Sequence, residues 1–472
     1  MYFRNLVLIG LVWAGSALLA ANAADASAGL VNDTLRAEAP VWKQLDLGGQ
    51  LRLRCEDKEK AGAFPNADFI GKPPTNSNSE LLTRITGHVG YTPVNWLTLL
   101  TEGRMSLESG DKRQPTPDAN NLDLYQAYLL LGDLKEFPLR LQLGRQELIY
   151  GDRRFVGNGD WSNTGRRFDA ARLRFEDSFG WVEAFASHPV YIDHDHLDKW
   201  NQYEYFSGLY ASSKKLAPWQ ETQAYFFSYN VGSDSPSVTT PVQTGPSARD
   251  VYTVGTLMKS LPGTLNGWDY SVELTGQMGT LTTNATKGSR LDLRAWGAFV
   301  SSGYTFEQTW GAPRLGLGYD YGSGDGNAKD GKVGDLQVLF PTPHRFYGLM
   351  DLFGLRNMEI PRVSSALTPI KDLTLTADYL MFWLTDTNDQ LYPETAAART
   401  KNGYGIHPDF NSFVGSEIDL VATYNLRAWL KLELGYGHFF VGDYIKESVA
   451  SVPANGPAMD ADWVYSQVTL NF

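Results

Sequence analysis

An all-β chain folded as a single transmembrane antiparallel β-barrel of about 18 strands, with short periplasmic turns and long extracellular loops, is what this sequence predicts. Three observations predict it. Polar and apolar residues alternate with a period of two from about residue 45 onward, tight turns alternate with long polar loops, and the last strand runs to a terminal aromatic, Phe472.

The alternation is clearest in four runs. Trp268, Tyr270, Val272, Leu274 and Met278 interleave with Asp269, Ser271, Glu273, Thr275 and Gln277, and Leu373, Leu375, Ala377, Tyr379, Met381 and Trp383 with Asp372, Thr374, Thr376 and Asp378. Ile418, Leu420, Ala422 and Tyr424 repeat the pattern, as do Leu430, Leu432, Leu434 and Tyr436. Each run has about the ten-residue length of a tilted bilayer-crossing strand, with Trp and Tyr at headgroup height.

A soluble sandwich also alternates, so the connections decide. Thr92 to Asn95, Asp177 to Phe179 and Asn425 to Arg427 are tight, whereas polar loops near 57–79, 109–120, 148–165, 232–249, 322–343, 386–413 and 441–460 are long. Short turns on one side and long loops on the other are a property of membrane barrels and not of sandwiches. If the strand near Gln44 to Glu56 rises to a long loop, every tight turn is periplasmic. Between Pro343 and Asp372 the chain then descends once, since Pro341, Pro343 and Pro361 leave too little uninterrupted ladder for three crossings. The total is about 18, an even number as a single-chain barrel requires.

The chain opens with Arg4, an apolar run from Leu6 to Ala20, and Ala21-Asn22-Ala23 before Ala24, the pattern of a secretory signal peptide cut after Ala23. Residues 1–23 are therefore expected as signal peptide, 24–43 as a periplasmic segment and 44–472 as the barrel, in the outer membrane of a Gram-negative cell. Cys55 is the only cysteine, which excludes an intrachain disulfide or a CxxC metal motif. A net charge of −12 argues against nucleic acid as a partner. The expected partners are outer-membrane lipids, the barrel-assembly machinery that reads a C-terminal strand such as Trp463 to Phe472, and a polar solute.

The segment Leu143-Gly144-Arg145-Gln146-Glu147, followed by Gly157-Asn158-Gly159-Asp160-Trp161-Ser162-Asn163-Thr164 and Phe168-Asp169-Ala170-Ala171-Arg172, resembles the alginate-export family of outer-membrane porins. His344-Arg345-Phe346-Tyr347-Gly348 and Gly415 to Tyr424 agree with it. The resemblance implies a monomeric barrel and passage of a polyanionic polysaccharide through an arginine-lined lumen. Arginine suits that work because it is charged at every relevant pH and presents a fork that matches carboxylates.

Strand parity offers Arg52, Arg54, Arg84, Arg104, Arg145, Arg172, Arg174, Arg294, Arg314 and Arg345 as lumen-facing, with Asp160 and Asn163 beside them. Among them lie Glu56, Glu102, Glu147, Asp169, Glu176, Glu273, Asp292 and Asp320. Two readings stand: these arginines meet an anionic solute, or they brace the wall in a salt-bridge network. Where the resemblance implies a basic residue two places after the arginine of the Gly-Arg-Gln segment, this chain has Glu147, which weakens or reverses anion preference if it faces the narrowest point.

Two loops carry metal-ligand chemistry. His194 and His196 share a face of an extended loop, as transition-metal ligands do, and Asp325 and Asp330 lie in a glycine- and aspartate-rich stretch that calcium favours, without the closing glutamate of an EF-hand. The bland reading, solvated turns, is kept for both. No G-x-S-x-G elbow appears and no acid pair stands out, so no enzyme and no cofactor are expected. The functional expectation is a passive channel for anionic solutes such as uronic-acid poly- or oligosaccharides, beside a general diffusion porin and, from another class, a secreted β-rich polysaccharide-binding protein.

Overall fold

The computed structural model describes residues 31, 32, 34, 37, 40–72, 76–113, 116–194, 196–232, 248–282, 290–327, 329–394 and 398–472. The expected signal peptide and most of the expected periplasmic segment lie outside these residues. A 3-10 turn, Pro40–Gln44, leads into the wall.

Eighteen antiparallel strands close on themselves. They are β1 (Leu45–Glu59), β2 (Asn78–Val94), β3 (Leu97–Ser109), β4 (Asn120–Leu131), β5 (Leu139–Gln146), β6 (Phe168–Glu176), β7 (Trp181–Tyr191), β8 (Glu204–Ala217) and β9 (Gln220–Val231). They continue as β10 (Arg249–Ser260), β11 (Trp268–Leu281), β12 (Leu291–Thr305), β13 (Arg314–Gly322), β14 (Met358–Ile370), β15 (Leu373–Leu384), β16 (Phe413–Arg427), β17 (Leu430–Val441) and β18 (Ala461–Asn471). Two further pairs of residues with strand geometry, Lys199–Trp200 and Lys332–Val333, sit in loops and do not lengthen the wall.

Closure is made by β18 lying antiparallel to β1, from Gln50 opposite Asn471 to Glu59 opposite Asp462. Phe472 ends the seam by exchanging backbone bonds with Gly49 at 2.8 and 3.0 Å. The expected single descent is β14, and Pro361 leaves its mark there: Glu359 pairs with Trp383 and Arg362 with Leu380, while Ile360 and Pro361 pair with nothing on β15. A residue without an N–H cannot complete that ladder.

Leu53, Leu81, Val89, Leu99, Leu107, Leu173, Leu274, Val300 and Val464 project outward and form the lipid-facing band. The opposite face divides in two. On β1 to β3 it is polar, carrying Arg52, Arg54, Glu56, Arg84 and Arg104; on β6 to β12 it carries a cluster of aromatic and aliphatic side chains, Phe168, Phe185, Phe206, Tyr210, Tyr225, Phe227, Leu293 and Phe299, all buried, beside Arg172, Arg174 and Glu183. An apolar inner face is stable only if something dry lies against it. In this barrel that material comes from two long loops folded into the lumen.

Candidate pore constriction

The loop 147–167, between β5 and β6, crosses the lumen. Its first half packs into the aromatic face: Tyr150 stacks between Phe185 and Tyr210, with ring centroids 5.2 and 4.8 Å away, and Phe155 lies against Tyr225 and Phe299. Arg154 enters the same region between the rings of Phe299 and Phe346 and donates to Asp320 at 2.7 Å. Asp152 reaches the periplasmic third of the wall, where Lys259 donates to it at 2.9 Å and Ser271 at 3.2 Å.

The second half of this loop lands on the opposite wall, where the β1 to β3 arginines hold its backbone. Arg52 donates to the carbonyls of Asp160, Trp161 and Ser162 at 2.8 to 3.2 Å, Arg54 to that of Trp161 at 2.7 Å, and Arg84 to the carbonyl and carboxylate of Asp160, both at 3.1 Å. Arg104 donates to the carbonyl of Thr164 and Ser106 to that of Asn163. Asn163 is fully buried, its amide donating to the carbonyls of Thr83, Leu107 and Asp118. Burial alone would raise the pKa of Asp160, but Arg84, Arg52, Arg104 and Arg153 outweigh it and hold this carboxyl well below the usual range.

A second loop, 323–357 between β13 and β14, joins the first as a parallel bridge. Phe340 donates to the carbonyl of Phe155 and accepts from Gly157, both at 2.8 Å, and Thr342 donates to the carbonyl of Arg153. Position 157 must be glycine, because a Cβ there would lie 2.3 Å from the Thr342 hydroxyl. His344 then stacks on one face of Trp161 at 3.7 Å while the Arg54 guanidinium covers the other, also at 3.7 Å. The two loops thus form one crossbar anchored on both sides of the barrel.

Several predicted residues stand inside. Arg172 and Arg174 face the lumen from β6, and both are engaged by Glu183, at 2.8 and 3.0 Å, with the Tyr150 hydroxyl donating to the same carboxylate. Glu147 is not a bare carboxylate: Tyr125 donates to it at 2.7 Å and Asn158 at 3.1 Å. Arg314, at the periplasmic end, pairs with Asp269.

Others require correction. Arg145 is on the outward face: it lies opposite Asp169 on β6, between the inward Phe168 and Ala170, and binds that carboxylate at 2.8 Å. Asp169 is outward with it. Arg294 and Asp292 also face outward, sharing a side of β12 with Trp296 and Val300, while Leu293 and Ala295 point in. Alternation alone puts the apolar side of every strand against lipid, and on β12 the inner side is apolar as well.

Arg345 lies on the crossbar and is exposed to the lumen, with Arg153, Arg154, Arg362 and Asp152 as its charged neighbours. Arg153 and Arg362, both partly exposed, were not among the predicted residues. Adjacent arginines at 153 and 154, between Tyr150 and Phe155, are the sequence signal for the first; its place on the same side of β14 as the buried Met358 and Ile360 is the signal for the second.

The candidate metal loops do not converge into ligand sets among the described residues. His196 is exposed and pairs with Asp193, whereas His194 contributes its backbone carbonyl to Asn121. Asp325 and Asp330 accept the backbone N–H two residues ahead, from Asn327 and Lys332, as turn aspartates do. Glu80, Asp111 and Asp118 do bring ligand atoms within 4.8 Å of one another, and the Arg113 guanidinium binds all three.

Comparison with solved structures gives the same architecture. The outer-membrane protein OpdK of Pseudomonas aeruginosa superposes with a TM-score of 0.56 at 12% identity, over 90% of this chain and 98% of that one. OpdR of the same organism gives 0.52 at 14%, over 90% and 96%, and OccAB1 of Acinetobacter baumannii 0.55 at 10%, over 90% and 96%. No curated protein matches by sequence. The sequence pattern of the Alginate export family matches residues 43–456, spanning nearly the whole barrel and both crossbar loops; the chain belongs to that family of bacterial outer-membrane β-barrels.

Proposed function

We propose that this porin-type barrel is a passive, non-catalytic channel for slender anionic solutes, uronic-acid oligosaccharides or chains among them. The carrying observation is the group Arg153, Arg345 and Arg362, which meets the lumen at the crossbar. The nearby Asp152 is neutralised by Lys259, leaving Asp378 as the acid that faces Arg362. Cations that cannot lose their charge, held beside a narrow passage, lower the barrier for carboxylates. The family's association with alginate, a polyanion, supports the same class of solute. Glu147 is bound by Tyr125 and Asn158 and lies beside Arg104, whose positive charge offsets it. Outer-membrane lipid around the wall and the barrel-assembly machinery acting on β18 complete the expected partners.

The test is the reversal potential of the purified protein in a planar bilayer under a KCl gradient. Anion preference is expected. A neutral or cation-selective pore would leave a general diffusion porin, and absence of conductance would sink the channel reading itself.

A further inference from the structure

The far end of the second crossbar loop docks on β16 through acids, not arginines. Glu417 and Asp419 point inward, 0% and 2% exposed, and accept the backbone N–H groups of Met350 at 3.0 Å and Leu349 at 3.1 Å. The other oxygen of each carboxyl is buried without a hydrogen-bond partner, and among the described residues neither carboxyl has a cation within ion-pair distance. The fit is close. Gly348 has φ +92°, and a Cβ there would lie 2.5 Å from the Glu417 carboxylate. Phe353 then packs against Phe69, Phe382 and Phe439, and Met350 and Leu352 are buried in the same apolar cluster.

Two more carboxyl groups face the same place, Asp351 on the loop itself and Glu394 on the loop 385–412. The charged and titratable groups around the four are Lys58, Arg54 and Glu56 of β1, Asp118, Arg166, His344, Asp378 and Tyr465 of β18. They do not balance four negative charges. Lys58 spends its ammonium on the carbonyl of Met350, Arg54 on Glu56 and Trp161, and Arg166 on the carbonyls of Gly157 and Pro341. His344 donates to or accepts from Asp351 at 2.8 Å, but burial and Arg54 hold it below its usual range, so it stays neutral.

We propose that the docking of residues 348–353 on β16 is a proton-dependent latch, in which the carboxyl groups of Asp351, Glu394, Glu417 and Asp419 keep protons while the loop is seated and lose them when it leaves. The inference rests on the channel reading for its consequence, a lumen that opens as pH rises. Burial raises Asp351 to about 7, and burial together with Asp351 raises Glu394 to about 8. Once released into water these groups return to the ordinary carboxylate range near pH 4. A raised value in the seated state means that seating is strongest in acid, weakens as pH climbs from that range toward 7 to 8, and is flat above. Each retained proton shifts the equilibrium about tenfold per pH unit within the window.

Hydrogen exchange of the full-length protein in detergent, read at Leu349 and Met350 and corrected for the intrinsic pH dependence, tests the latch beside single-channel conductance. Between about pH 5 and about pH 8 protection should fall at least tenfold and open time should rise. Glu417→Gln with Asp419→Asn should make the loss of protection and the gain in open time between about pH 5 and about pH 8 clearly smaller, since only Asp351 and Glu394 then titrate; if that pair does not give a heat-modifiable barrel on gels, Asp351→Asn should make the profile shallower than the parent's. Protection that ignores pH, or variant profiles that match the parent's, would overturn the latch. Protection that falls as expected in a protein that never conducts would uphold the latch and defeat the channel reading, so the two fail separately.

Discussion

Loops are fastened to the lumen wall in two places, and the fastenings use opposite chemistry. On β1 to β3, arginines donate to the carbonyls of residues 160–164; on β16, carboxyls accept the N–H groups of residues 349 and 350. A guanidinium is charged under all working conditions, so the first fastening ignores pH. The carboxylate of Asp160 reinforces this: a value held below the usual range adds stability that is present at neutral pH and lost only as pH falls through that low value. The second fastening draws in Asp351 and Glu394 of the loops, whose protonated form is favoured by burial, and it is sensitive to pH for that reason.

The sharpest way to break this comparison is to remove the arginines. Arg52→Ala with Arg84→Ala takes charge-assisted bonds from three carbonyls and from Asp160, at about 1.5–3 kcal/mol for each hydrogen-bonded charge. The tip should then become protease-sensitive between residues 158 and 165, with higher conductance at every pH; a conductance gain confined to alkaline pH would mean that the two fastenings are not independent. A smaller effect is expected from Arg345→Ala, which leaves both fastenings intact: anion selectivity should fall severalfold in reversal-potential measurements while thermal stability is kept. If selectivity holds and the melting temperature drops, the arginines at the crossbar are braces and not solute contacts. The smallest effect on conduction belongs to Arg145→Ala, which removes an outward pair with Asp169 and bonds to the carbonyls of Leu124 and Asp198, and should leave selectivity unchanged at a stability cost of about 1–3 kcal/mol.

The barrel was legible in the sequence because a wall between lipid and water imposes alternation, and because turn length reports the side of the membrane. The strand count follows from those two facts, the single descent at β14 from the prolines at 341, 343 and 361, and the closing place of Phe472 from a last strand that alternates to its end. What was not legible is the filling of the lumen. Arg145 and Arg294 were assigned inward on the premise that charge avoids the lipid side, yet at strand ends a charged side chain reaches the headgroup zone without penalty. The loops themselves held the missing information: Tyr150, Phe155, Phe340, Phe346 and Phe353 are more aromatic than solvated loops need to be, and every one is buried. Whether Arg84 binds a solute or a loop, by contrast, depends on where residue 160 lands, and no periodicity encodes that.

The bridge between the crossbar loops is made by main-chain atoms at Arg153, Phe155, Gly157 and Phe340, so its position owes little to the side chains that project from it. Aperture and chemistry are in consequence separable traits. Substitutions at 153, 345 or 362 can retune what the passage admits without moving the beam that sets its width, and a lineage can change diet by point mutation while inheriting the same gap.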